Sequence, residues 1–331
     1  MNVLLIGGTG TISSAVADRL LSLGNSVSML NRGNHPIPEG AELLQGDIHD
    51  EEAVKGLIAS RHFDSVCEFM GFLPEEAERD IRLFEGKTDQ LIYISSASAY
   101  QKPIHTLPIT EETPLENPFW AYSRNKAASE AVYFEAYEKS HFPVTVVRPS
   151  HTYNEMRIPT AFHGTKGPWQ ILERMIKGKP VIVPGDGTSL WTATFNTDFA
   201  VGFCGLVGNP KALGEAFHIT SDEVLSWDEI HRVIGKALNT EPRLVHIPSE
   251  LLAADDEKGM DLCGQLLGDK ANSVLFDNRK IKSYVPEFDC KVRMADGIAR
   301  AAVWMKEHPE VQIPDPEFDA WCDREISRRH A

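Results

Sequence analysis

A chain of 331 residues is long enough for two domains, and its formal charge of −15 argues against a nucleic-acid or anionic-membrane surface. Its 42% hydrophobic and 24% charged residues are ordinary for a globular protein, which excludes a disordered or fibrous chain. The five cysteines, Cys67, Cys204, Cys263, Cys290 and Cys322, make no CxxC or Cys/His spacing, so reduced thiols and no metal site are expected.

The start, Met1 to Ile6, is apolar but runs straight into glycines, without a basic region or a small-residue cleavage site. No signal peptide is expected, and no apolar run approaches the ~20 residues of a membrane span. The expected location is cytoplasmic, with no membrane partner.

Along the chain, Val3–Ile6 reads as a buried strand and Ser13–Leu23 as a helix. Asn25–Asn31 and Ala41–Gln45 follow as strands, Glu51–Arg61 as a helix and Asp64–Phe69 as a strand. Glu75–Phe84 reads as a helix whose start, Pro74-Glu75-Glu76, suits the helix dipole. Gln90–Ser95 is a strand, a long helix is expected around Trp120–Ser140, and Val144–Arg148 is another strand. Alternation of this kind predicts right-handed parallel crossovers and an α/β fold with a doubly wound parallel sheet. After Pro149 the pattern loosens. Clusters of glycine, proline and tryptophan in Gly164–Trp169 and Pro180–Trp191 predict loops around a ligand. Ala216–Thr220 and Arg243–Ile247 read as strands able to rejoin the first sheet. The expected organisation is a dinucleotide-binding domain over residues 1–150 and a smaller, interleaved substrate lobe over 151–331.

The dinucleotide expectation rests on Gly7-Gly8-Thr9-Gly10-Thr11-Ile12-Ser13, between the first strand and the first helix. Glycines there let backbone approach a pyrophosphate whose charge the helix start favours, and Ser13 is small enough for the third glycine position. The plain alternative is a strand-to-helix turn. The second strand ends at Asn31-Arg32, with no carboxylate to bind a ribose hydroxyl and with a guanidinium able to pair with a 2′-phosphate. NADP is therefore preferred to NAD, unless Arg32 is simply a solvated loop residue. Asp47-Ile48 offers an acceptor to an adenine amino group or, equally, an N-cap for the next helix. Phe69-Met70-Gly71 is expected to pass backbone along the dinucleotide.

Tyr122 and Lys126 stand four apart on one helix, so they share a face. A nearby ammonium favours a phenolate and brings tyrosine toward general acid/base work. The apolar strand Leu91-Ile92-Tyr93-Ile94 runs into Ser95-Ser96-Ala97-Ser98, placing hydroxyls where ligands bind an open parallel sheet.

Taken in order, the glycine loop, the serine-rich strand end, Tyr122-x-x-x-Lys126 and Val147-Arg148-Pro149-Ser150 resemble the extended short-chain dehydrogenase/reductases, NAD-dependent epimerases and dehydratases such as UDP-galactose 4-epimerase. The resemblance implies a Rossmann sheet, with Ser96 as the catalytic hydroxyl, Tyr122 as acid/base and Lys126 as its partner. It also implies cofactor contacts at Gly7, Gly10, Thr11, Ile12, Asn31, Arg32, Asp47, Ile48, Phe69, Met70, Gly71, Ser95, Pro149 and Ser150. A homodimer follows from the same likeness, and the small residues Ala127, Ala128 and Ala131 permit helix packing there. Ala97 and Ser98 replace the acidic pair of sugar dehydratases, which counts against that elimination. Trp191 replaces the arginine that nucleotide-sugar enzymes place on a substrate diphosphate; Arg157 or Lys166 is then needed for the charge, or the substrate lacks a diphosphate. Ser98, Trp120, His151, Trp169 and Trp191 are the candidate substrate contacts, with the tryptophans as an aromatic wall. For His151 and His163, ordinary hydrogen-bonded histidines are the alternative.

The leading expectation is an NAD(P)-dependent epimerase or oxidoreductase acting on a secondary alcohol or ketone of a sugar-like or nucleotide-sugar-like molecule. The alternatives are a reductase or dehydrogenase of a non-nucleotide small molecule, or a non-catalytic member binding dinucleotide or RNA. Atypical members of the second kind share similar Gly-Gly-Thr and Asn-Arg-Gly segments, but the charge of −15 opposes an RNA role.

Overall fold

A computed structural model describes residues 1–256 and 259–330. The first half builds β1 (Asn2–Ile6), α1 (Thr11–Ser22), β2 (Ser26–Asn31), β3 (Glu42–Gln45), α2 (Glu51–Ile58), β4 (Ser65–Glu68), α3 (Pro74–Phe84), β5 (Leu91–Ile94), α4 (Ala121–Ser140) and β6 (Val144–Pro149). With the later strand Ala216–Ile219, the six strands form one seven-stranded sheet. Its order is Ala216–Ile219, β6, β5, β4, β1, β2, β3, and every neighbouring pair is parallel.

Alternation along β1 decides what covers each face. Val3 and Leu5 pack with Ala15, Val16 and Leu20 of α1 and with Phe199 and Phe203 of the helix Asn196–Leu206. Leu4 and Ile6 meet Val54 and Ile58 of α2, Ala77 and Leu83 of α3 and Tyr133 of α4. A sheet buried on both faces suits these near-continuous apolar strands. The helix starts are set locally. Asp50 caps α2 through a 3.1 Å bond from Ala53 N, and Glu76 accepts from Phe72 N and Leu73 N at 2.6 and 2.9 Å.

Arg243–Ile247 is a strand but does not join the main sheet. It pairs in parallel with Pro180–Pro184 in a separate two-stranded ribbon. Two of its five residues, Arg243 and His246, are exposed, which suits a ribbon on the lobe and not a sheet covered on both sides. The segment Pro180–Trp191 is likewise not all loop, since Pro180–Pro184 and Leu190–Trp191 are strands. A further core buries Trp227, Trp321, Phe162 and Ile298 from the later residues together with Ala97, Tyr100 and Ile109 from the first half. No helix among the described residues is long and apolar enough to cross a membrane.

A buried ion pair locks α4 to the sheet. Arg148 donates to both oxygens of Glu130, at 3.0 Å from Nε and 2.6 Å from Nη2, and its Nη1 reaches Tyr100 Oη and the carbonyl of Glu111. This pair sets the position of the helix that carries Tyr122 and Lys126.

Candidate active site

The strands β1, β2, β4, β5 and β6 run parallel, so their carboxyl ends share one edge of the sheet, and two hollows are lined by residues at and just after those ends. The first is a cleft lined by Gly7, Thr9, Asn31, Arg32, Asp47, Ile48 and Met70. Gly7 and Gly8 hold φ of 98° and 93°, and a Cβ on Gly8 would lie 2.2 Å from Met29 Cε. Gly10 is the N-cap of α1, where its N–H donates to Ser13 Oγ at 2.9 Å. The carbonyl of Thr11 accepts from Asn196 Nδ2 at 3.1 Å, which ties the loop to the helix behind it. Arg32 is exposed at the rim. Asp47 accepts from His49 N at 3.0 Å and lines the cleft, whereas Asp50 caps α2; the N-cap alternative for Asp47 is therefore wrong. Ile12 and Phe69 pack toward the core, with the Phe69 ring 5.6 Å from Phe203, and neither lines the cleft.

These residues fit a dinucleotide. Side chains at Gly7 and Gly8 would press on Met70 and Met29, so the turn keeps its backbone bare, and two buried polar atoms are unsatisfied: Ser95 Oγ after β5 and Asn196 Oδ1, whose amide nitrogen holds the Thr11 carbonyl. A buried orphan of this kind is costly unless a ligand satisfies it.

The second hollow, of about 230 Å³, is lined by Ser96, Ser98, Trp120, Tyr122, Pro149, Ser150, His151 and Trp191. Asp269, Lys270, Val274 and Phe276 complete it. Tyr122 and Ser96 line it together; burial, the larger influence, holds the phenol above its ordinary value, while the Ser96 hydroxyl favours the phenolate. Ser96 Oγ lies 2.9 Å from Ser98 Oγ, which accepts from Ser123 Oγ at 2.7 Å. Three hydroxyls thus form a chain leading away from the tyrosine.

Lys126 lies beneath, 2% exposed, and donates to the carbonyls of Gly71 at 2.6 Å and Ile94 at 2.7 Å. It makes no hydrogen bond to Tyr122; its ammonium stands 5.9 Å from that ring's centroid. Burial lowers its pKa to about 8, against the opposing charges of Glu68, Glu130 and Glu76. Glu68 is a functional neighbour that sequence reasoning missed. Its carboxylate accepts from the N–H groups of Met70 and Gly71, so it shapes the turn whose Gly71 carbonyl receives Lys126. Burial, with the charge of Asp80 adding to it, raises Glu68 well above the carboxylate range. An acid at the end of a buried strand was the available signal.

The aromatic wall is smaller than expected. Trp120 lines the cavity, 4.9 Å from the Tyr122 ring, and donates to Asp261 Oδ2 at 2.6 Å. It packs on the π-helical segment Cys263–Lys270, where a Cβ at Gly264 would lie 2.1 Å from Trp120 Cδ1. Gly264→Val is expected to lower stability by roughly 1–3 kcal/mol through overpacking, measured by urea unfolding. Trp169 does not line the cavity; it opens the helix Trp169–Ile176 and packs on the lobe core, where that helix buries Ile171, Leu172 and Met175. Trp191 is not a free stacking platform either. It is 3% exposed, with Trp227 at 5.3 Å and the Lys270 ammonium at 4.6 Å from its ring.

His151 faces the cavity as a neutral imidazole, since burial and then the charges of Lys270, Arg157 and His163 push its pKa well below the ordinary value. His163 lies outside, bonded to Gly164 O at 2.7 Å and Arg157 Nη2 at 2.7 Å. Neither Arg157 nor Lys166 lines the cavity. Asp269 and Lys270 were not anticipated, because they stand in a stretch without a motif, far along the chain from Tyr122.

A parallel sheet of this order, with a glycine turn at its central strand and a serine–tyrosine cavity at its carboxyl edge, defines a dinucleotide-binding α/β protein of the Rossmann class. Residues 3–220 match the NAD dependent epimerase/dehydratase family, and the chain belongs to that family. It is 27% identical over 260 residues to the chloroplast stem-loop binding protein of 41 kDa b of Arabidopsis thaliana, covering 74% of this chain and 65% of that one. It is 26% identical over 258 residues to 2′-dehydrokanamycin reductase of Streptomyces kanamyceticus, covering 76% and 71%. In fold it is similar to the epimerase Mth375 of Methanothermobacter thermautotrophicus, with a TM-score of 0.76, 18% identity and 94% of each chain covered.

Proposed function

We propose that the chain is an NAD(P)-dependent oxidoreductase or epimerase that works on a secondary alcohol or ketone of a small, sugar-like molecule. The observation that supports this most is the grouping of Ser96 and Tyr122 on the lining of one cavity, with the Lys126 ammonium 5.9 Å from the centre of the Tyr122 ring. A dinucleotide held in the cleft by the glycine turn would supply the hydride exchange that interconverts alcohol and ketone. Tyr122 takes the alcohol proton as the carbonyl forms, or gives it back in the reverse direction, and Ser96 holds the reacting oxygen. Lys126 positions the Gly71 and Ile94 carbonyls and supplies a charge that favours the phenolate. Pro149 and Ser150 border the cavity where the nicotinamide side of the cofactor would lie.

The substrate-lobe division after residue 150, a homodimer through α4 and a cytoplasmic location belong to the same reading. Ala128 and Ala131 are exposed on α4, small enough for close helix contact. An RNA-binding role has less support, because the chain is strongly acidic.

For the cofactor, the absence of an acid at Asn31 and the exposed Arg32 favour NADP. Arg32→Glu is expected to weaken NADP binding about tenfold or more while leaving NAD within a few-fold, read by calorimetric titration. Equal loss for both dinucleotides would remove the 2′-phosphate role. Mass spectrometry of nucleotide released on denaturation separates the two reaction types. Stoichiometric retained cofactor fits a redox-neutral epimerase; an empty protein that binds NADPH reversibly fits a net reductase or dehydrogenase.

A further inference from the structure

Lys270 is the cationic side chain lining the cavity that the reaction above does not use. It closes the π-helical segment, and its carbonyl accepts from two indoles, Trp191 Nε1 at 3.2 Å and Trp227 Nε1 at 3.0 Å. Its ammonium stands 4.6 Å from the centre of the Trp191 ring and pairs with Asp269. Two tryptophans therefore fix both ends of one lysine, by hydrogen bonds at its backbone and by cation–π attraction at its tip. Position 191 holds a cation in the cavity without itself being charged.

The size and charge of the cavity limit what that cation can bind. At about 230 Å³ the hollow falls below the roughly 300–1,000 Å³ usual for drug-sized ligands. No arginine lines it, so the bidentate fork that favours phosphate and diphosphate is missing. An ammonium has three donors, and Asp269 occupies one, which leaves two for a ligand. The Lys270–Asp269 pair has no net charge as a unit, so a dianion would be less well compensated there than a monoanion. Behind Asp269, the buried ammonium of Lys102 has no hydrogen-bond partner, and Asp269 is the carboxylate that favours its charge. Beside Tyr122, the polar lining of Ser96, Ser98, Ser150, His151 and Asp269 is suited to hydroxyl groups.

We propose that the substrate is a compact polyhydroxy carboxylate, a sugar acid without a nucleotide, whose carboxylate is bound by Lys270 while its hydroxyls face Ser96, Ser98 and Asp269. This rests on the Ser96–Tyr122 reading for its chemistry, but its binding is measurable apart from turnover.

The test titrates the protein, loaded with whichever of NADP and NAD binds it tighter, with D-glucuronate, D-galacturonate, D-gluconate, D-glucose, glucose 6-phosphate and UDP-glucose, following heat or tryptophan fluorescence. At least one sugar acid should bind about tenfold or more tighter than glucose and tighter than either phosphate compound. Lys270→Met should cost that ligand about tenfold in Kd, and Lys270→Arg should restore most of it. Equal binding of glucose, tighter binding of glucose 6-phosphate or UDP-glucose, indifference to Lys270→Met, or no binding of any sugar acid overturns the proposal. Tyr122→Phe separates the two readings: unchanged turnover there sinks the reaction alone, whereas indifference at Lys270 with turnover lost at Tyr122 sinks this inference alone.

Discussion

Tyr122→Phe is expected to lose about a hundredfold to ten-thousandfold in turnover while binding dinucleotide as the unaltered protein does. The ring stays, so its contacts with Trp120 at 4.9 Å and Phe72 at 6.1 Å are kept, and only the ionisable hydroxyl is removed. Proton transfer to or from the reacting oxygen is then left to water or to Ser96. Ser96 is a poor substitute, because its hydroxyl is one member of a chain with Ser98 and Ser123 and carries no charge to stabilise. The assay follows oxidation or reduction of NAD and NADP against a panel of sugars and sugar acids, with Kd for the dinucleotide measured in parallel. Unchanged turnover would remove Tyr122 from the reaction; loss of both activities would indicate damage to the cofactor cleft instead.

Glu130→Ala should be the most destabilising of the substitutions considered, by about 3–5 kcal/mol, because it leaves Arg148 buried without a counter-charge. Arg148 is 4% exposed and Glu130 1%, so water cannot replace the lost carboxylate. Tyr100 Oη and the Glu111 carbonyl, at 3.2 and 2.9 Å, hold the guanidinium in place but do not neutralise it. Urea unfolding gives the value directly. A loss below about 1 kcal/mol would mean that Arg148 finds solvent or another acid, and that α4 is held to the sheet by its apolar contacts alone.

The doubly wound half was legible because its signals are local. Apolar strands buried on both faces, glycines at a strand end and an acidic first turn on α3 each report a constraint within a few residues. The glycine turn after β1, and the placing of Tyr122 and Lys126 on one helix, were legible for the same reason. Pairing within the lobe was not. Arg243–Ile247 has the pattern of a strand, but which strand it meets depends on where the lobe places Pro180–Pro184. Trp191 shows the same limit at the site. A tryptophan in place of an arginine reads as a lost charge, and only the fold shows Lys270, 79 residues further along, resting on its ring. Glu68 was hidden by its surroundings, since a buried acid in an apolar strand is interpretable only once Met70, Gly71, Arg79 and Asp80 are seen around it.

Calorimetric titration of the purified protein with NAD and NADP tests the central claim most directly, because every assigned role depends on a dinucleotide in the cleft between Gly7 and Ser150. The account predicts saturable binding near one site per chain for at least one of the two, with NADP tighter, and its loss when Gly8 is changed to Val, whose side chain would collide with Met29. Binding of neither, in protein shown to be folded and free of retained nucleotide, would contradict it.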